Sequence, residues 1–199
     1  MNFLAHAYLS FGDPELLTGN LMADTVKGTE PRNFTAGIAR GIELHRAIDA
    51  YTDHHALVRS TRKIFYPTIS HYALVISDVI YDHFLGINWH RYSNETLLDF
   101  SIRSYAAVDR YIQYAPEKFT RIFPYMKEDN WFVMYATLPG IHATIERLSY
   151  RSKAFTQAKE TIALLTTHYH ELENHFLEFF PQLVAHSHDF LKDYETKFS

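Results

Sequence analysis

The sequence holds no cysteine, which removes disulfide bridges, a thiol nucleophile and thiolate metal sites from consideration. Glycine and proline are scarce, seven of each among 199 residues. They fall between long helical patterns rather than at the short, regular spacing of a β-sandwich. No apolar run approaches the ~20 residues that a membrane helix needs. No basic segment precedes the apolar stretch of Met1-Asn2-Phe3-Leu4-Ala5-His6, so no secretory leader is expected. Positive charge is not in excess either: 19 Lys and Arg stand against 23 Asp and Glu, a formal net charge of −4. That is the wrong sign for a protein devoted to nucleic acid. A Walker-type loop and a Gly-x-Ser-x-Gly elbow are both missing. The expectation is a cytoplasmic protein with neither membrane nor nucleic acid as partner; oligomeric state is not legible.

What is abundant is aromatic: 14 Tyr and 15 Phe, in a chain that is 16% aromatic. They suit a thick core, or pockets that grip a flexible ligand. The length suits one domain, residues 1–199, and the hydrophobic periodicity predicts an all-α, single-domain bundle of seven or eight helices. A short helix is expected over Phe3–Ser10 and a second over Glu15–Val26, started by Asp13 and Pro14. A long helix over Thr35–Tyr66, with a possible break at His54 and His55, should end at Pro67. Further helices are expected over Ser70–Leu85, stopping at Gly86, and over Glu95–Ala115, capped by Asn94. The rest reads as Asp129–Thr137, Ile141–Arg151, Thr156–Phe180, then after Pro181 a terminal Gln182–Tyr194.

The helix over Ser70–Leu85 is apolar almost all round and should be buried. It nevertheless carries Asp78 and Asp82 one turn apart, with His83 beside them. Two ionised carboxylates in a dry interior would cost several kcal/mol each, so something must compensate them: a metal cation, basic side chains, a bound proton or a water-filled cleft. A metal does so most economically. The preceding helix offers His45, Asp49 and Asp53 at four-residue steps, a polar stripe of imidazole and carboxylate suited to manganese, zinc or iron. Asp24, near the end of the second helix, can add a carboxylate, and His6 lies on the first. The bland reading of each feature alone is an exposed i,i+4 contact or a surface salt bridge; together within sixty-odd residues they favour a metal site. Lys27, Arg46, Arg59, Arg62 and Lys63 lie in or beside these segments, and guanidinium is a natural partner for phosphate. Arg46, between His45 and Asp49, is the first choice. His168, His170, His175, His186 and His188 read instead as a solvated helix face, and Phe176, Leu177, Phe179, Phe180 and Leu183 as core.

Four sequence words together resemble the acyl carrier protein phosphodiesterase family in order and spacing. They are Met1–His6; Gly19-Asn20-Leu21-Met22-Ala23-Asp24 with Val26-Lys27-Gly28; Gly41–Asp53 around His45-Arg46-Ala47-Ile48-Asp49; and Asp78–Leu85. Weaker similarity continues through Trp131–Tyr135 and His168–Pro181. The resemblance implies a divergent, HD-domain-like helical metal phosphohydrolase. It implies hydrolysis of the phosphodiester joining 4′-phosphopantetheine to a serine of holo-acyl carrier protein, with a divalent cation, typically Mn2+ (Mg2+, Fe2+ and Zn2+ being other choices). On this reading Asp24, His45, Asp49, Asp78 and Asp82 hold the metal. Asp53 or His83 orients the attacking water, and Arg46 and Lys27 offset phosphate charge. Arg59 and Arg62 meet the acidic carrier, while His6 and Asn20 support the ligands. Two other readings stay open: a metal phosphohydrolase of a nucleotide or other small phosphodiester, and a non-catalytic helical module that binds a carrier protein. A di-iron bundle ranks last, because repeated Glu-x-x-His pairs are absent.

Overall fold

The computed structural model describes residues 1–26, 34–151 and 155–198. Every regular element among them is helical. The first, α1, covers Phe3–Tyr8 and is only six residues long, too short to persist alone. The second, α2, covers Pro14–Met22 and starts where the sequence predicts: Asp13 accepts from the amides of Glu15 (2.8 Å) and Leu16 (3.0 Å), with proline at the first position. A 3-10 turn, Ala23–Thr25, closes it.

The long pattern after residue 35 does break at its histidine pair. Helix α3 covers Ala36–His54 and α4 covers Ala56–Ile69. Between them His55 takes an extended backbone and accepts from the Leu57 amide, capping α4. Pro67 was expected to end this helix, yet it lies inside the last turn of α4. Gly86 likewise does not stop α5, Tyr72–Ile87. It is the point of closest approach to Ala136, which a Cβ at this position would strike.

In the second half, α6 (Leu97–Asp109) is shorter than predicted and is capped by Thr96, not Asn94. Helix α7 (Glu117–Glu128), unforeseen, tolerates Pro124. Then come α8 (Trp131–Tyr135), α9 (Leu138–Arg151), α10 (Ala158–Thr167) and α11 (Tyr169–Phe198). The terminal helix breaks from its predecessor at His168 rather than at Pro181. Pro181 faces solvent, so its missing amide is inexpensive.

Helices α2 and α3 make the tightest pairing, held by glycine: a Cβ on Gly19 would run into the Ile38 carbonyl, and one on Gly41 into that of Leu16. Helix α1 lies across α2 and α5, while α11 packs on α3, α4 and α5. Between them Phe65, Tyr81, Phe84, Phe176, Phe179 and Phe180 are fully buried, each contributing about 1.5–3 kcal/mol of hydrophobic stabilisation. Leu183 joins them and Leu177 is partly buried, so that stripe is core, as expected. No helix among the described residues is long and apolar enough to cross a membrane.

Candidate metal centre

The close approach of α2 to α3 brings Asn20 beside His45, and α1 adds His6 from above. The two imidazoles stack, centroids 4.0 Å apart and planes 15° from parallel. Asn20 fixes both. Its amide nitrogen donates to the His6 carbonyl (2.9 Å) and to Ser10 Oγ (3.2 Å), so its Oδ1 accepts from His6 Nδ1 at 2.7 Å. Its main-chain carbonyl accepts from His45 Nδ1 at 2.8 Å. With both Nδ1 atoms serving as donors, each ring turns Nε2 to the other side, toward Asp49. The separations are 3.3 Å from His6 Nε2 to Asp49 Oδ1 and 3.1 Å from His45 Nε2 to Asp49 Oδ2. Asp24 Oδ1 lies 3.2 Å from His45 Nε2.

His6, His45 and Asp49 offer one donor atom each within 4.8 Å of one another, a group able to hold a metal ion. The fit is good on two counts. Bonds of ~2.1 Å to a divalent ion place neighbouring donors about 3.0–3.4 Å apart, the spacing found here. His6 Nε2 is also buried with no hydrogen-bond donor or acceptor in proper geometry, an orphaned lone pair in a polar corner. Locking the ring through its other nitrogen is the usual arrangement behind a metal-ligating histidine.

The electrostatics agree with a site built around positive charge. Burial and the neighbouring His45 lower the His6 pKa to about 4, so this ring is neutral at pH 7. Burial would depress His45 as well, but hydrogen bonds to Asp24 and Asp49 outweigh it and raise its pKa to about 9. Burial would raise Asp49, yet the hydrogen bond from His45, the close approach of His6 and the nearby terminal ammonium hold it far below the usual carboxylate range. The hydrogen bond from His45 also lowers Asp24, which remains 80% exposed.

The remaining predicted site residues are distributed differently. Asp78 lies one step away: the Met1 ammonium sits 3.2 Å from Asp49 Oδ1 and 3.4 Å from Asp78 Oδ1. Oδ1 of Asp78 is buried without a hydrogen bond, and burial raises its pKa. Arg62 spans Asp53 (2.8 Å) and Asp78 (3.8 Å) and donates to Ser77 Oγ. Asp82 does not face the histidines. Its two oxygens accept from the amides of Leu4 (2.7 Å) and Ala5 (3.0 Å), capping the N-terminus of α1 across the fold. Burial still raises its pKa to about 7.

His83 is buried with both nitrogens engaged, Nδ1 donating to the Tyr135 carbonyl (2.8 Å) and Nε2 accepting from the Tyr169 hydroxyl (2.7 Å). Arg46 turns outward to Glu43, and Arg59 is exposed on α4. Lys27 lies outside the described residues. The C-terminal histidines join no metal-holding group among the described residues: His175 bonds Thr61, while His186 and His188 stack on Tyr51 and Phe11. The sequence reading gave His6 a supporting place.

A family model described as acyl carrier protein phosphodiesterase matches residues 1–183. The chain belongs to that family. Relatives so named share this scaffold nearly end to end. One from Photorhabdus laumondii is 31% identical over 193 residues, covering 96% of this chain and 98% of its own. One from Klebsiella pneumoniae is 33% identical over 186 residues, covering 92% and 96%. One from Escherichia coli O6:H1 is 30% identical over 185 residues, covering 92% and 96%. No solved structure matches the chain. The family match begins with the word that carries His6 and includes every residue of the centre.

Proposed function

We propose that this chain hydrolyses the phosphodiester between 4′-phosphopantetheine and the serine of a holo-acyl carrier protein. In this reading His6, His45 and Asp49 hold a divalent cation, Mn2+ being the first choice, with Asp24 at the mouth as a further carboxylate. The observation that carries the metal assignment is the convergence of two imidazole Nε2 atoms, with both Nδ1–H groups donating to Asn20, on a single carboxylate. Family membership carries the substrate.

When bound, such a cation lowers the pKa of a coordinated water and polarises the phosphoryl oxygens. The chain's own groups do the rest. Asp78 takes the proton from the attacking water: its buried Oδ1 makes no hydrogen bond and faces the Met1 ammonium at 3.4 Å and Arg62 at 3.8 Å, and its raised pKa brings it nearer the working pH. Arg62, mostly buried and already between Asp53 and Asp78, offsets charge on the phosphate. Asp53 orients that guanidinium. Asp82 and His83 fix α1 and α5, and the exposed Arg46 and Arg59 meet the acidic carrier.

The test is mass spectrometry of a holo-carrier incubated with the protein and Mn2+. The expected product is the apo-carrier, lighter by the 4′-phosphopantetheine group. Turnover of nucleotides alone would move the assignment to a small-phosphodiester hydrolase. Tight carrier binding without turnover, across several metals, would leave only a binding module.

A further inference from the structure

Beside the metal centre lies a second cavity, of about 140 Å3. Phe3, Val75, Val79, Trp131, Met134 and Leu148 give it a largely apolar wall. Asn2 and Phe3 also line the small cavity that contains His6, Asn20, Asp24 and His45. The two spaces therefore meet at the same corner of the backbone, just ahead of α1.

Asn2, Tyr135, Thr144 and Arg147 complete the lining, and one polar atom of the wall stands unpaired. Trp131 lines the cavity, its ring tilted 55° against that of Phe3 with centroids 5.6 Å apart, and its indole N–H is buried without an acceptor. A buried unpaired donor costs about 1–3 kcal/mol, so its presence at a cavity wall points to an acceptor supplied by a ligand. Arg147 stands half-exposed among the lining residues, 3.5 Å from Asp129. The wall holds no carboxylate and no histidine; it is built for neutral, partly apolar chain.

We propose that this cavity is the subsite for the pantetheine arm of the carrier's prosthetic group. Its branched methyl groups pack on Val75, Val79 and Leu148, and an amide carbonyl accepts from Trp131 Nε1. The inference rests on the metal centre being where the phosphodiester is cleaved, since the arm leaves the phosphate directly and the cavity adjoins that centre through Asn2 and Phe3. It explains how a site without a phosphate loop distinguishes this diester from others: recognition of the arm supplies what the phosphate cannot.

The probe is pantetheine itself, which lacks phosphate, titrated calorimetrically into metal-free protein. The wild type is to be compared with Trp131→Phe, which keeps the ring and loses the donor, and Leu148→Trp, which fills the space. Mn2+ titration and thermal melting of each variant serve as folding controls. The expected result is roughly tenfold weaker pantetheine binding for Trp131→Phe and loss of binding for Leu148→Trp, both binding Mn2+ as the wild type does. On holo-carrier the same variants raise KM, while hydrolysis of bis(p-nitrophenyl) phosphate is unchanged.

Two outcomes overturn the subsite: equal binding of pantetheine by all three proteins, or wild-type cleavage of holo-carrier with no pantetheine binding and no change of KM in the variants. Pantetheine binding that depends on Trp131 and Leu148, without cleavage of any carrier, supports the subsite and removes the catalytic reading instead.

Discussion

Asn20 does two jobs with two carbonyl groups, one on its side chain and one on its backbone, and each sets the proton of a different imidazole. Asn20→Ala keeps the backbone contact to His45 but frees His6 to rotate and take the wrong tautomer. Metal affinity is expected to fall 10–100-fold, the usual cost of removing such an orienting partner. Calorimetric Mn2+ titration checks it, with far-UV dichroism unchanged. His45 sets a pH dependence whose sign follows from its partners. In the metal-free protein its proton persists up to a pKa of about 9, and an entering ion must displace it. Apparent affinity should therefore rise about tenfold per pH unit below 9 and level off above, with about one proton released per ion at pH 7–8, read from titrations in buffers of different ionisation enthalpy. His6, lowered to about 4, adds nothing to this slope. At this scale the sequence was informative where partners are one turn apart, as for His45 and Asp49. For His6 it offered only a supporting place, because its partners lie 14 to 43 residues onward and are brought to it only by packing.

Between elements, the telling contact is the one from α5 to α1. Asp78 and Asp82 look equivalent on a helical wheel, yet one oxygen of Asp78 is left without a hydrogen bond near the centre, facing the Met1 ammonium and Arg62, while Asp82 spends both on the exposed amides of a neighbouring short helix. Periodicity predicts that both share a face of α5 but cannot tell which packed element each will meet. Asp82→Ala leaves two buried amides without acceptors and should cost about 2–4 kcal/mol, a fall in melting temperature of roughly 5–15 °C. A pH signature separates the carboxylate from its shape. With its pKa raised to about 7, folded Asp82 keeps a proton that the unfolded chain releases near pH 4. Its contribution to stability thus declines as pH rises from about 4 to 7 and is flat above. Asp82→Asn should lack that decline, which chemical denaturation at a series of pH values measures. Helix boundaries were legible where the polar cap was the right one, as at Asp13, and misjudged where Asn94 was read as a cap in place of Thr96 or where proline or glycine was taken as a stop: Pro67, Gly86 and Pro181 all lie inside helices.

For the molecule as a whole, the proposed ion, shared by α1 and α3, would bind only the folded chain. At 100 times its dissociation constant, Mn2+ should add about 2.7 kcal/mol of stability, shifting the melting temperature upward by roughly 5–11 °C. Excess chelator should reverse the shift, and Asp49→Ala should abolish it; differential scanning calorimetry reads all three. The all-helical class was evident from composition and periodicity. The order in which helices pack was not, because contacts such as His83 to Tyr169, 86 residues apart, leave no trace in local pattern. The fastening of α1 also dictates a sequence of events during synthesis. Its six residues are made before Asp82, which holds their exposed amides and follows 77 residues behind Ala5. A nascent chain arrested before α5 has emerged therefore carries His6 on an undocked segment, and the proposed ion capture would wait for α5.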